Sequence, residues 1–464
     1  MSILYPFQEK GVRKLDHYDG RALLADDMGL GKTLQALWWA KHTSQALPVL
    51  VICPAHLKWI WETEAASKVK MLSRVLSGMK PQREGIHMNL PLTIINYDIL
   101  EPWLPALRAM KFKTVIVDEC HYIKNLTAKR TKNVFSLVME NEEKKRKGIP
   151  HRIAISGTPT LNSPDELWPS LHMIRPDLYP MFWDYAVRYC KPSYLNGKWV
   201  FKGAEHLNEL HRFIKHKLLI RRRKSEVLKE LPDKTRTVVP VTVPLKEYKE
   251  AENDFVRWLK KKSPAKAFRA AKAKQLTQVG YLKRLATELK YDFVKKWIDD
   301  FLEETDEKLV VFGIHKKIVR RLYESYPKIS VVLDGDCSAL QKRKAVEAFQ
   351  HRKKTRLFFG NITAAGTGIT LTASSHVLFA ELDYVPANHT QAEDRIHRIG
   401  QKNAAQIIYL VAKDTIEETL CRLIQRKQEI VSDVMDGKDF QDNFSVFNSI
   451  IQRLKKKKEK RNER

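Results

Sequence analysis

The sequence predicts an α/β protein made of two parallel-sheet blocks with a helical region between them. Short apolar runs recur that are near-continuously hydrophobic rather than alternating, as strands buried on both faces are. They fall into two sets, separated from about Ser163 to Thr305 by a charged, helical stretch. At 464 residues and 43% hydrophobic content, the chain has length for two or three domains and apolar mass for their cores.

In the first block, the run Arg21–Leu24 leads into Ala25-Asp26-Asp27-Met28-Gly29-Leu30-Gly31-Lys32-Thr33 and then the helical stretch Leu34–Ala40. Strand, glycine-bearing turn and helix form the setting that a phosphate-binding loop requires. Gly29 and Gly31 leave backbone N–H groups free to close on phosphate oxygens, and the helix N-terminus adds its positive dipole end. Lys32 offers a point charge for the β- and γ-phosphates, and the Thr33 hydroxyl is placed to hold Mg²⁺. The general pattern wants glycine where this chain has Asp26. Gly-Lys-Thr after a turn also suits an ordinary helix start; strand, glycines, lysine and threonine together favour the nucleotide loop.

Val49–Cys53, Leu92–Ile95, Thr114–Val117 and Arg152–Ile155 continue the block as strands. The third of these ends in Asp118-Glu119-Cys120-His121. Ligand groups gather at the carboxyl ends of parallel strands. Asp118 is therefore placed to join the Mg²⁺ shell, and Glu119 to orient and deprotonate an attacking water. Acids after a strand are often only a solvated loop, and the phosphate loop upstream tips the balance.

The middle stretch offers Trp168, Trp183, Trp258 and Trp297 as core candidates and a lysine-rich patch from Lys260 to Lys274. That patch suits a DNA contact or a solvated helical face equally well. Strand rhythm returns in Leu309–Phe312, Ser330–Leu333, Arg356–Phe359, His376–Phe379 and Gln406–Leu410. Between the last two lies Gln391–Gln401. If it is helical, Arg395 and Arg398 sit three apart on one face. Arginine meets phosphate oxygens with a planar donor fork that lysine lacks. By itself the segment favours a surface helix with internal pairs from Glu393 or Asp394 to its arginines.

A net charge of +29 is the strongest compositional signal, and removing the basic tail 455–464 still leaves +24. Such an excess points to a polyanionic partner, most simply nucleic acid; a basic surface kept for solubility, or an anionic membrane surface, is the alternative. Cys53, Cys120, Cys190, Cys337 and Cys421 are scattered and form no Cys-x-x-Cys pair, which argues for a reducing compartment without structural zinc or a disulfide framework. No signal pattern opens the chain, and no apolar run approaches membrane-spanning length. The expectation is a soluble intracellular protein, with a monomer as the default.

With these residues in hand, the chain resembles superfamily-two helicase-like motors, and among them the Swi/Snf group of DNA translocases. Tyr5-Pro6-Phe7-Gln8-Glu9-Lys10-Gly11 is similar to the motif in which a glutamine, here Gln8, recognises adenine. Ala25 to Thr33 resembles the group's first motif, Asp26 included. Cys53-Pro54 with Trp59 and Glu62, then Ile95-Asn96-Tyr97-Asp98, look like the next two motifs. Asp118-Glu119-Cys120-His121 is similar to the Asp-Glu-x-His box, and Ser156-Gly157-Thr158-Pro159 to the motif coupling nucleotide to nucleic acid. Glu166-Leu167-Trp168 and Arg221 to Leu228 with Leu231-Pro232 resemble segments peculiar to the group. Thr363 to Thr372 and Gln391 to Gln401 match its last two motifs. Arg188-Tyr189-Cys190 and the form of the last motif lean toward its annealing-helicase, fork-remodelling branch.

The resemblance implies a RecA-like ATP-binding lobe over residues 1–178, a helical insertion or linker over 179–295, a second RecA-like lobe over 296–440, and a C-terminal helix and basic tail over 441–464. ATP and Mg²⁺ are the implied cofactors. Gln8, Asp26, Asp27, Met28, Gly29, Leu30, Gly31, Lys32 and Thr33 bind nucleotide, Thr33 and Asp118 hold the metal, and Glu119 activates water. Arg395 and Arg398 act as arginine fingers that complete the site when the cleft between the lobes closes. Ser156, Gly157, Thr158, Thr367, Gly368 and Gln391 couple to or contact nucleic acid. The implied function is an ATP-dependent, DNA-stimulated motor that remodels DNA or protein–DNA complexes, with double-stranded or forked DNA as partner and DNA repair among its uses. A strand-separating DNA or RNA helicase and a non-catalytic scaffold are the alternatives, and the scaffold is disfavoured because Lys32, Glu119 and both arginines are present. The compact build suggests a bacterial or virus-encoded cytoplasmic protein, or a nuclear one if eukaryotic.

Overall fold

The structure, a computed structural model, describes residues 3–81, 90–140, 147–157, 159, 164–195, 197–201, 203–253, 274–365, 369–422 and 424. They divide into two compact units, the first ending at Lys229 and the second beginning at Glu230.

The first unit is built on seven parallel strands: β1 (Arg21–Leu24), β2 (Val49–Cys53), β3 (Ser73–Val75), β4 (Leu92–Asn96), β5 (Thr114–Asp118), β6 (His151–Ile155) and, past the antiparallel hairpin β7 (Ser193–Leu195) and β8 (Lys198–Val200), β9 (Leu219–Ile220). Their order across the sheet is β3-β4-β2-β5-β6-β1-β9. Each central strand feeds two cores. Val49, Val51 and Cys53 of β2 pack in the core of Trp39 and Trp61, while Leu50 and Ile52 pack in the core of Trp103 and Trp168. A strand with an apolar layer on both faces has no polar face to alternate with, hence the continuous apolar runs. Helix α1 (Pro6–His17) and helix α2 (Lys32–His42) flank β1 in sequence.

The second unit carries six parallel strands: β10 (Lys234–Val241), β11 (Leu309–Gly313), β12 (Ser330–Leu333), β13 (Leu357–Asn361), β14 (His376–Phe379) and β15 (Ala405–Ala412). Their order is β10-β15-β14-β11-β13-β12, over one contiguous core. The two parallel sheets expected from the sequence are therefore there. The stretch between them is not purely helical: β9 extends the first sheet and β10 the second, and the unit boundary at Lys229 falls inside the expected insertion 179–295. β9 is two residues long, and β10 is mostly exposed with Pro240 in it, a residue that sheets accept at their edges. Neither leaves an unbroken apolar run of four or five residues like that of β2.

Trp168 is buried as expected, but Trp183 lies on the surface, edge-on to Trp199. Trp258, the lysine patch up to residue 273, and the basic tail lie outside the described residues. All five cysteines are free. No helix among the described residues is long and apolar enough to cross a membrane.

One buried histidine makes the second unit's stability pH-dependent. His389 packs beside the stacked rings of Phe379 and Tyr409, and its Nε2 accepts the Asp383 amide at 2.9 Å. Burial pushes its pKa down to about 4, against the pull of Asp383 and Glu393. The unfolded chain takes up this proton below its ordinary value, near 6.5, while the folded chain does not until about 4. The contribution is therefore present above pH 6.5 and lost as pH falls toward 4. Urea denaturation is expected to show about 2 kcal/mol less stability at pH 5 than at pH 8 from this group. In His389→Gln, the difference between the two pH values shrinks by that amount.

Candidate nucleotide site

Strands β5, β6 and β1 are neighbours, so their carboxyl ends lie side by side. β1 delivers the loop Ala25–Gly31, β5 delivers Asp118 and Glu119, and β6 delivers Ser156, whose amide donates to the Leu24 carbonyl. Gly29 (φ +83) and Gly31 (φ +73) hold the left-handed turns of the loop. Gly31 is constrained twice, because a Cβ there would stand 2.4 Å from the Gln8 amide nitrogen. Gln8 itself is buried: its oxygen accepts the Tyr5 amide at 3.0 Å, and its nitrogen donates to the Leu30 carbonyl at 3.1 Å. The residue that resembles an adenine reader thus holds α1 against the loop.

Lys32 opens α2 and turns its Nζ back onto the carbonyls of Asp26 (2.8 Å) and Asp27 (3.1 Å). Burial lowers its pKa, and Asp26, Glu119, Asp27 and Asp118 oppose that shift. Thr33 follows, half-buried in the first turn of α2. Met28 is buried against Gly157, where a Cβ would come within 2.7 Å of its side chain. Asp26, which replaces the usual glycine, is wholly buried and paired with Arg222; Asp27 accepts the Lys224 amide at 3.0 Å.

Both oxygens of the buried Asp118 are engaged, one by the Trp61 indole N–H at 2.8 Å and the other by the Glu119 amide at 2.9 Å. The Tyr97 hydroxyl donates to the Asp118 carbonyl at 2.6 Å. Burial, then the charge of Glu119, pushes the Asp118 pKa up to about 7. A carboxyl that is desolvated in this way fits a cation, which would favour its ionised form. A hydroxyl at Thr33 and a carboxylate at Asp118 are the oxygen donors that Mg²⁺ takes, with phosphate and water completing its shell. Among the described residues no group of three or more His, Cys, Asp or Glu side chains could hold a metal by itself.

Glu119 adopts a left-handed backbone (φ 49, ψ 56), a conformation that costs a residue with a side chain and recurs at functional positions. Its Oε2 lies 3.2 Å from His121 Nδ1 and accepts the Ser156 hydroxyl at 3.4 Å; His121 Nδ1 is also 3.3 Å from that hydroxyl. Glu119, His121 and Ser156 therefore form one contact cluster, linking the acid pair to the expected coupling residue. Thr158 lies outside the described residues.

In the second unit, helix Pro386–Glu393 ends before the expected arginines. Arg395 and Arg398 stand in the turns that follow, not three apart on a helix face. The Arg395 carbonyl accepts the Leu371 amide, and the backbone tightens from Ala392 onward. Both guanidinium groups nevertheless converge, each donating to the Ile369 carbonyl at 3.3 Å. Gln391 is buried in the helix, its carbonyl accepting Arg395 Nε at 2.9 Å. Glu393 does not pair with these arginines. It is held by Lys234 (2.9 Å), by both prongs of Arg236 (2.8 and 2.7 Å) and by the Tyr409 hydroxyl (2.6 Å). Burial works to raise its pKa, but the two cations from β10 more than offset it and keep the carboxyl ionised. Thr367 and Gly368 lie outside the described residues.

Sequence reasoning missed Trp61 and Gln35, and it placed Tyr97 and Arg222 in motifs of the family without giving either a role in the site. For the motif after β2 it selected Trp59, whereas Trp61 is the tryptophan that reaches Asp118. A helical offset of two residues turns the side chain to another face, and that offset was the one available signal.

Residues 7–290 match the SNF2-related domain and residues 289–400 the helicase conserved C-terminal domain. The chain is 34% identical over 439 residues to the SWI/SNF-related matrix-associated actin-dependent regulator of chromatin subfamily A-like protein 1 of Xenopus laevis, covering 92% of this chain and 44% of that protein. It is 32% identical over 459 residues to the DNA annealing helicase and endonuclease ZRANB3 of Mus musculus, covering 94% and 41%. The chain spans less than half the length of these two curated relatives. A solved structure, the Sulfolobus solfataricus SWI2/SNF2 ATPase core in complex with dsDNA, matches at 25% identity and a TM-score of 0.43, over 93% of this chain and 92% of that one.

Proposed function

Because the chain belongs to the SNF2-related family of helicase-like ATPases, we propose that it is an ATP-driven motor that translocates on double-stranded or forked DNA and remodels DNA structures or protein–DNA complexes. What supports hydrolysis most directly is the meeting of a phosphate loop, the Asp118–Glu119 pair and Ser156 at three adjacent strand ends. Lys32 and the loop amides receive the phosphates of the substrate ATP, with Gln8 toward adenine. Thr33 and Asp118 hold Mg²⁺, which when bound screens the phosphate charge. Glu119 orients and deprotonates the attacking water, and His121 and Ser156 fix its carboxylate. Arg395 and Arg398 have the role of arginine fingers. Ser156, Gly157, Thr158, Thr367, Gly368 and Gln391 serve coupling and nucleic-acid contact. The +29 charge favours grip on a phosphate backbone without sequence preference.

ATP hydrolysis measured without nucleic acid, and with single-stranded DNA, duplex DNA, forked DNA and RNA, tests this. Stimulation of roughly tenfold or more by duplex or forked DNA is expected, fading steeply as salt rises. Triplex displacement without strand separation is the expected companion result. Stimulation by RNA alone would reassign the substrate, and no hydrolysis under any condition would end the motor reading.

A further inference from the structure

We propose that Arg222 is a positioning residue of the ATP site, holding the phosphate loop and the two helices beside it in one register. This deepens the ATP-hydrolysing role proposed above and presupposes it.

One guanidinium joins three elements. Arg222 Nε donates to Asp26 Oδ1 at 2.9 Å and its Nη2 to Asp26 Oδ2, so the fork grips the loop carboxylate with two bonds. Nη1 donates to the carbonyl of Phe7, next to Gln8 in the first turn of α1, and the guanidinium lies over the Phe7 ring. Nη2 also donates to Gln35 Oε1 at 2.6 Å, in α2. Gln35 in turn donates to Asp26 Oδ2 (3.1 Å) and to the Leu30 carbonyl (3.3 Å), which Gln8 shares. The main chain adds to the grip: the Ala25 amide donates to the Ile220 carbonyl, and the Asp27 amide to the Arg222 carbonyl.

Two residues make sense only with this guanidinium in place. Asp26, where the phosphate-loop pattern expects glycine, is fully buried, and this guanidinium is the counter-charge that grips both of its carboxylate oxygens. Gly11, in the middle of α1, is a poor helix former at that position. A Cβ on it would fall 2.0 Å from Gln35 Oε1 and 2.5 and 2.9 Å from the two terminal nitrogens of Arg222. The clamp therefore passes through the space that glycine leaves open. Its anchor, Asp26, also supplies one of the two carbonyls that receive Lys32 Nζ. A loop ordered beforehand costs less to close on phosphate than one ordered at binding, so the expected effect falls on nucleotide affinity.

The test compares the full chain with Arg222→Ala, Arg222→Lys and Gly11→Ala, by ATP titration of hydrolysis at saturating DNA and by thermal melting. Arg222→Lys keeps a cation beside Asp26 and preserves the fold, but one ammonium cannot reproduce the fork and the bonds to Phe7 and Gln35. In both Arg222 variants KM for ATP is expected to rise roughly tenfold or more, with kcat changed by less than about threefold. Gly11→Ala shifts KM in the same direction. A fall in kcat at unchanged KM, tracking the folded fraction, is what a purely structural arginine gives and would overturn the proposal. If the unaltered chain hydrolyses no ATP, the ATPase reading fails, and this inference with it. If it does hydrolyse ATP but the variants keep its KM, only the inference fails.

Discussion

Glu119→Gln is expected to lower ATP hydrolysis at least roughly a hundredfold while leaving nucleotide binding nearly intact. Glutamine keeps the size of the side chain and an oxygen that accepts the Ser156 hydroxyl, so the strained backbone at this position need not move. What it loses is the negative charge and basicity that would draw a proton from water. Lys32→Ala should separate from it. That variant removes the point charge on the phosphates, so binding and hydrolysis fall together, by a comparable factor in rate. Phosphate release with equilibrium binding of a fluorescent ATP analogue distinguishes the two. Hydrolysis by Glu119→Gln within tenfold of the unaltered chain would remove Glu119 from the catalytic role.

The second large effect concerns stability in the other unit. Lys290 and Glu417 form an ion pair at 2.6 Å with neither side chain exposed at all. The ammonium also donates to the Leu410 carbonyl at 2.6 Å, and the carboxylate accepts the Ala412 amide at 2.9 Å. Lys290 sits where helix Lys274–Leu289 gives way to helix Tyr291–Glu304, so the pair fastens these helices to the end of β15. Lys290→Met leaves a buried carboxylate without its counter-charge, at an expected cost of about 3–5 kcal/mol. Adding Glu417→Gln removes that charge while keeping an acceptor for Ala412, and the double variant should recover most of the loss. Urea midpoints of both variants check this. A single-variant cost below about 1 kcal/mol would mean that the pair is dispensable.

Most of this fold was legible because parallel strands covered on both faces must be apolar along their length. Val49–Cys53 and His376–Phe379 run as the sequence predicts. In the two parallel sheets, the strands that escaped notice are those without that constraint: half-exposed β3, two-residue β9 and solvent-facing β10. The same division holds in the site. Gly29, Gly31, Lys32, Thr33, Asp118 and Glu119 are contiguous with their strands and carry their chemistry in local order. Arg222 meets Asp26 across 196 positions and Trp61 meets Asp118 across 57, and nothing near either residue in sequence announces the partner. The turn at Arg395 was hidden for a similar reason, since the amide that claims its carbonyl belongs to distant Leu371.

The outermost strand of the second sheet bears on how this chain behaves in a crowded solution. An exposed strand eight residues long is a template on which a neighbouring chain could add its own strand. Here Pro240 has no N–H to offer such a neighbour, which breaks the continuous row of donors that runaway strand addition needs. Lys234 and Arg236 turn their charges inward onto the buried Glu393, so the anchor of the arginine turn also fixes two inward-pointing cations on this strand. An edge interrupted by proline, on a strand with inward-pointing charges, resists polymerising edge to edge. Replacing Pro240 with valine would complete the donor row and remove one of the two safeguards against fibril growth.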